Sequence, residues 1–192
     1  LGVHIGDKVI VQRAGDVIPQ IVSVAERGED TKAFIFPDIC PVCGGAVVRE
    51  SGMVAYRCVN SLSCPAQIRG ELEHFVSKHA FDIEGIGTKQ IELFMGKGWI
   101  NSAADIFTLI EKHGSELLKM DGFGAKSVSN LKTAIDNARN IDLHRLIYAV
   151  GIPDVGEVTA KILAHKFGSL ENLRDAKSWQ LLQIDGIGDV MA

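Results

Sequence analysis

Four cysteines carry the most specific chemistry in this chain, spaced Cys40-x2-Cys43-x14-Cys58-x5-Cys64. Cys40-Pro-Val-Cys43-Gly-Gly reads as a knuckle that sets two thiolates on one tight turn, where glycines let backbone N–H groups turn toward sulfur. Joined to the second pair, it makes a closed four-sulfur site of the softness and geometry that Zn2+ prefers. Four protein ligands leave no open position, so such a metal is structural, and its binding would supply ~10–16 kcal/mol of folding free energy. The same four positions also admit two disulfides, unrelated thiols, a four-sulfur iron site or a catalytic zinc. A C-x5-C half is less common than a second C-x2-C.

A second pattern recurs along the C-terminal two thirds. Ile83-Glu84-Gly85-Ile86-Gly87, Met120-Asp121-Gly122-Phe123-Gly124, Ile152-Pro153-Asp154-Val155-Gly156 and Ile184-Asp185-Gly186-Ile187-Gly188 each precede a helical stretch, with last glycines 37, 32 and 32 residues apart. That spacing predicts an internal repeat of helix, tight hairpin and helix. Glycines permit positive φ and close approach, and the following helix offers unsatisfied N–H groups and a positive dipole end, a combination suited to phosphate. Thr88, Lys89, Lys126, Ser127 and Thr159 stand ready to add side-chain contacts. Ile86, Phe123, Val155 and Ile187 would pack each hairpin onto its helices. Alone, such a loop is only a turn; four in register point to a phosphate grip. Lys119-Met120-Asp121-Gly122 matches the K-x-D-G motif of nucleotidyltransferases, but in the repeat Lys119 aligns with Asp82 and Gln183, in a helical context without a strand-lined nucleotide pocket. His74, on a helix, reads as a surface or packing residue.

These residues must be positioned by three segments of different composition. Residues 1-36 read as strands, with Val9-Ile10-Val11, Ile18, Ile21-Val22 and Val24 punctuated by turns at Gly6-Asp7 and Gly15-Asp16. Two or three such strands are marginal alone, so they are expected to be the tail of a larger β-domain; the start at Leu1, without Met, fits a fragment. Residues 37-66 hold the cysteines and Gly44, Gly45 and Gly52, with almost no core, and need a staple. Residues 67-192 are helical: Val128, Leu131, Ile135 and Ala138 fall at helical spacing, as do Val158, Ile162, Leu163 and Phe167. The fold expected is multidomain and mainly α.

The 192 residues are 46% hydrophobic and carry a formal charge of -4, the balance of a folded soluble protein. No apolar run approaches ~20 residues, which excludes a helical membrane span, and LGVHIGDKVIV lacks the features of a signal peptide. A cytoplasmic setting follows, where cysteines are more often metal ligands than disulfides. The acidic balance speaks against a conventional basic nucleic-acid binder. Residues 71-192 hold 13 basic and 17 acidic side chains, so any attraction for phosphate must be local.

Taken in order, Arg13-Ala-Gly-Asp-Val-Ile-Pro19-Gln20, the four-cysteine finger, Cys64-Pro65-Ala66-Gln67 and the four hairpins resemble the bacterial NAD-dependent DNA ligase family, from late in its OB-fold domain almost to the end of its helix-hairpin-helix domain. The resemblance implies a partial OB-fold at 1-36, a four-cysteine zinc finger at 37-66 and a helix-hairpin-helix domain at 67-192 whose fourth hairpin is cut short four residues past Gly188. In that family an upstream domain uses NAD and Mg2+ to form a lysine–AMP adduct; AMP passes to the 5′-phosphate at a nick, and the 3′-hydroxyl displaces it. The OB, zinc and hairpin parts close a clamp around the duplex. Carried over by position, Arg13, Val17 and Ile18 match the OB segment that meets DNA; Cys40, Cys43, Cys58 and Cys64 match the ligands of a structural Zn2+; and Gly87, Gly124, Gly156 and Gly188 match the phosphate-facing glycines. Arg13 also reads as a solvated strand charge, and Val17 and Ile18 as core strand residues. In the third hairpin Pro153-Asp154 replaces the acid-Gly of the others, which weakens the carry-over at Gly156. The partner implied is nicked double-stranded DNA held without sequence preference, by a monomer, in the bacterial cytoplasm at the nucleoid. Without the adenylation domain, the chain is expected to bind DNA and not to ligate. The alternative is a non-enzymatic helix-hairpin-helix and zinc scaffold of a repair protein, which would have no need of half an OB domain.

Overall fold

The computed structural model describes residues 1–15, 17–49, 54–61 and 63–192, with Ala14 by backbone alone. Asp16 of the expected Gly15-Asp16 turn, and Gly52, lie outside the described residues. The chain divides into two compact units, Leu1–Asn60 and Ser61–Ala192.

In the first unit the β-branched runs of residues 1-36 form strands, as their composition predicts. β1 (His4–Ile5), β2 (Lys8–Ala14), β3 (Ile18–Glu26), β4 (Lys32–Ala33), β5 (Val47–Val48) and β6 (Arg57–Cys58) make three two-stranded antiparallel pairs, β1 with β4, β2 with β3 and β5 with β6. At the tip of the longest pair Arg13 stands opposite Pro19 and Ala14 opposite Ile18. Gly6 takes φ +98 in the turn before β2, and the Asp7 carboxylate there accepts from the His4 N–H at 2.7 Å and pairs with Arg27 at 3.1 Å. Apolar side chains of this hairpin, Ile10, Val11, Val17, Ile18, Ile21 and Val22, stay exposed. Short pairs of this kind have little core of their own.

The second unit is helical: α1 (Pro65–Val76), α2 (Thr88–Gly96), α3 (Ala103–Ile106), α4 (Leu109–Leu117), α5 (Ala125–Asn137), α6 (Leu143–Ala149), α7 (Glu157–Phe167), α8 (Leu170–Arg174) and α9 (Ser178–Leu181). None is long and apolar enough to cross a membrane. α5 buries Val128, Leu131, Ile135 and Ala138, the face its spacing predicts. α7 departs from expectation. It is a helix, but Val158 is 72% and Ile162 39% exposed, while Ala160 and Leu163 are buried. Ala160, Leu163, Ala164 and Phe167 form the stripe that packs, because small alanines let the neighbouring elements approach closely.

The four hairpins do not share one core. Hairpins one and two pack into a large cluster that includes Leu72, Ile83, Ile86, Phe94, Leu109, Val128 and Leu131. Hairpins three and four pack into a smaller one of Ile147, Val155, Ala160, Leu163, Ile184 and Ile187. α6 serves both, with Ala149 in the first cluster and Ile147 in the second. Its Arg145 donates to the carbonyls of Ala80 and Lys78, each at 2.7 Å, fixing α6 to the turn after α1. His74 is a packing residue as expected: its ring lies 4.6 Å from that of Tyr148 and its Nε2 is 2.8 Å from the Tyr148 carbonyl oxygen.

Candidate metal centre and hairpin interface

The knuckle closes on its own backbone. The Cys40 N–H donates to the Gly45 carbonyl at 2.8 Å and the Gly44 N–H to the Cys40 carbonyl at 2.9 Å, with Gly44 at φ +70. This turns the Gly45 N–H toward Cys43 Sγ at 3.4 Å, and the Asn60 N–H points at Cys58 Sγ at 3.4 Å. All four sulfurs of Cys40, Cys43, Cys58 and Cys64 lie within 4.8 Å of one another, and no disulfide joins them. Tetrahedral Zn–S bonds would set sulfurs about 3.8 Å apart, so this donor set fits zinc. Gly45 shows the same closeness: a Cβ there would stand 3.1 Å from Asn60 Cβ, 3.3 Å from Cys43 Sγ and 3.5 Å from Cys58 Sγ.

Cys64 is buried at the N-cap of α1. Without a cation the Cys58 thiol is held at about 11: the Asn60 N–H pulls it down, but burial and the sulfurs of Cys43 and Cys40 outweigh that. A zinc ion would supply the positive charge that lets the thiols ionise together. Its role there is structural, since four protein thiolates leave no open coordination position.

Each of the four breaks is a tight turn closed by one bond. Ile86 N–H donates to Ile83 at 3.3 Å, Phe123 to Met120 at 3.2 Å, Val155 to Ile152 at 3.1 Å and Ile187 to Ile184 at 3.0 Å. The third turn residue has positive φ in every case: Gly85 (+89), Gly122 (+83), Asp154 (+63) and Gly186 (+87), as in type II turns. The Pro153-Asp154 variant therefore keeps the same shape, since Pro suits the second turn position and Asp tolerates the left-handed region.

The last glycine of each hairpin has a different role. Gly87, Gly124 and Gly156 are the N-caps of α2, α5 and α7, and all have negative φ. Their carbonyls accept the first helical bonds from Ile91, Val128 and Ala160 at 2.9 to 3.0 Å; Gly188 accepts from Ala192 at 3.0 Å in the same way. All four are exposed, and a Cβ would meet nothing within 4 Å at Gly124, Gly156 or Gly188 and only Gln90 Oε1 at 3.7 Å at Gly87. Neither backbone strain nor internal packing demands glycine at these positions. What glycine provides is an unobstructed approach to the helix-start amides from outside.

The neighbours of these glycines differ in charge, a distinction legible in sequence that periodicity alone does not weigh. Thr88-Lys89 follows Gly87 and Ala125-Lys126 follows Gly124, but Glu157-Val158 follows Gly156 and Asp189-Val190 follows Gly188. The Glu157 carboxylate takes Lys161 Nζ at 2.6 Å and His79 Nδ1 at 3.1 Å. The Lys161 bond, with its charge, holds Glu157 below the ordinary carboxylate range. Arg13, Val17 and Ile18 cluster at the exposed β2–β3 tip, Val17 at 82% and Ile18 at 68% exposure, so the two aliphatics are not core residues of this unit. Lys119 lies exposed just past α4, leading into the second hairpin.

A four-thiol knuckle followed by paired helix-hairpin-helix motifs defines a zinc-bearing, DNA-binding class of domain. Residues 40–66 match the family model of the NAD-dependent DNA ligase C4 zinc finger domain, and residues 145–192 match that of the helix-hairpin-helix motif. The chain is 47% identical to a DNA ligase of Rhodopseudomonas palustris strain BisA53, over 99% of this chain and 29% of the relative. It is 48% identical to a DNA ligase of Roseiflexus sp. strain RS-1, over 99% of this chain and 26% of the relative. A DNA ligase of Nitrobacter hamburgensis is 47% identical over 98% and 29% respectively. The chain is thus a homologue of the DNA ligases and carries the zinc-finger domain of the NAD-dependent class; it spans less than a third of the length of these relatives.

Proposed function

We propose that this chain is the DNA-clamping portion of an NAD-dependent DNA ligase, which seals nicks in duplex DNA through adenylated intermediates in replication and repair. The observation that carries this reading is the exposed last glycine of each hairpin: Gly87, Gly124 and Gly156 cap helices, Gly188 precedes a turn, and a Cβ on any of them would meet at most Gln90 Oε1. A clamp built this way grips phosphate oxygens, which fixes position without reading bases. It also resolves the charge objection, because fixed backbone dipoles attract phosphate locally whatever the net charge of -4. Gly87, Gly124, Gly156 and Gly188 face the duplex, and Arg13, Val17 and Ile18 meet it near the nick from the partial OB segment. The three segments 1-36, 37-66 and 67-192 act as partial OB-fold, zinc finger and hairpin domain. The partner is nicked duplex, the working state a monomer, and the setting the bacterial nucleoid. NAD and Mg2+ serve the whole enzyme's adenylation step, and this chain contributes binding and orientation of DNA.

Two measurements test the reading. Fluorescence anisotropy with labelled nicked duplexes of unrelated sequence should give equal affinities. Incubation with NAD and Mg2+ should leave the chain free of AMP by mass spectrometry. A covalent AMP on Lys119, or binding to one sequence alone, contradicts it.

A further inference from the structure

Helix α6 is only seven residues long, about 10 Å, yet both hairpin pairs depend on where it points. The third hairpin follows its C-terminal end after Val150 and Gly151. Near its N-terminal end, Arg145 reaches the turn over 77–82 that leads into the first hairpin. Backbone N–H groups of that turn take the carbonyls of Phe75, Val76 and Ser77. The carbonyls of Ala80 and Lys78 are taken by Arg145, through Nε and Nη2 respectively, each at 2.7 Å. One planar guanidinium thus holds two acceptors that lie 65 and 67 residues away in sequence. The Asp82 carboxylate, 3.9 Å from the same Nη2, favours that placement by charge.

Apolar packing across the seam has less direction. Leu146 and Ala149 pack on the first cluster, Ile147 on the second and Tyr148 on both. Such contacts hold a short helix in place without fixing its rotation, whereas a two-bond fork is directional. Two other polar ties cross the seam. His74 makes a single bond to the Tyr148 carbonyl, and the pair of His79 with Glu157 is exposed, which makes it weak.

We infer that Arg145 is a positioning residue of the clamp: by fixing the rotation of α6 it sets the angle between the first and third hairpins, so that both pairs engage one duplex together. This rests on the DNA-clamp reading. Two grips held at the right angle act as one, because the second engages at high effective concentration once the first is bound. Loosening the joint lowers that concentration and leaves each grip intact.

Arg145→Lys in the full chain tests the inference. Lysine keeps the charge and the aliphatic stem, so the fold is retained, but its ammonium lacks the planar fork that spans both carbonyls. Fluorescence anisotropy compares the variant with the unaltered chain on duplexes of about one helical turn, ~10 base pairs, and of about three turns. The extra registers of a longer duplex favour both chains alike, so the ratio of their affinities at each length is the readout. On the short duplex the two should agree within about twofold. On the long duplex Arg145→Lys should bind about tenfold more weakly, as expected when avidity is lost. Arg145→Met should show the same pattern, since the geometry matters and not the charge. Equal affinities on the long duplex, or the same loss at both lengths, overturn the positioning role. So does a loss in Arg145→Met alone, which would mark a direct contact of Arg145 with phosphate. An unaltered chain that binds neither duplex overturns the clamp reading instead.

Discussion

At position 45 a methyl group would be crowded. A Cβ would come within 3.1 to 3.5 Å of Asn60 Cβ and the sulfurs of Cys43 and Cys58, so the neighbours would have to give by a few tenths of an ångström. Gly45→Ala should therefore weaken zinc binding by about 10- to 100-fold, the usual effect of disturbing the shell around metal ligands, as read by competition with a chromogenic chelator. Asp105 holds the start of α3 by accepting from the Asn101 N–H at 3.0 Å and from the N–H and hydroxyl of Ser102, each at 2.9 Å. These bonds, led by that from the Asn101 N–H, depress its pKa. Because the folded-state value lies below the unfolded one, the contribution is full above the ordinary carboxylate pKa. It fades as pH falls through the depressed folded value. Asp105→Ala should lower stability at neutral pH by about 1 kcal/mol in urea denaturation and flatten this acid limb. The cysteine ligands were legible because metal chemistry is written in residue type and spacing. Asp105 was not, since an acidic residue three positions past a serine is common and its value depends on which amides face it.

At the scale of elements, the third hairpin is the informative one. Pro153-Asp154 breaks the glycine pattern, yet Asp154 at φ +63 reproduces the turn of its three counterparts. Asp154→Gly should stabilise the domain by up to about 1 kcal/mol, and Asp154→Val should destabilise it by about 1 to 2 kcal/mol, both measured by urea denaturation. The four hairpins and the helices α5 and α7 were legible, because turn glycines and 3.6-residue periodicity act locally. Two things were not. Val158 and Ile162 share helical spacing with Leu163 and Phe167, but packing selected the alanine-bearing stripe of α7 and left those two outside. The two glycines of each motif also look alike in sequence. Only geometry separates a first glycine that takes positive φ at Gly85, Gly122 and Gly186 from a last one set in open space.

At the scale of the whole molecule, four tandem repeats resolve into two pairs with separate hydrophobic clusters joined by α6. An even repeat spacing does not reveal that pairing, because which motifs share a core is a tertiary choice. The acidic composition, a sound warning for a protein that binds through lysine and arginine, loses force once the grip is made of oriented backbone amides. The most direct measurement is the affinity of the 192-residue chain for nicked duplex as salt is raised from about 50 to 200 mM. If Arg13, Lys89 and Lys126 are the phosphate contacts of the proposed clamp, log K should fall linearly with log salt at a slope of magnitude about 2 to 3, the same for unrelated sequences. A flat titration, or a slope that changes with base sequence, would contradict a clamp that holds DNA by its phosphates.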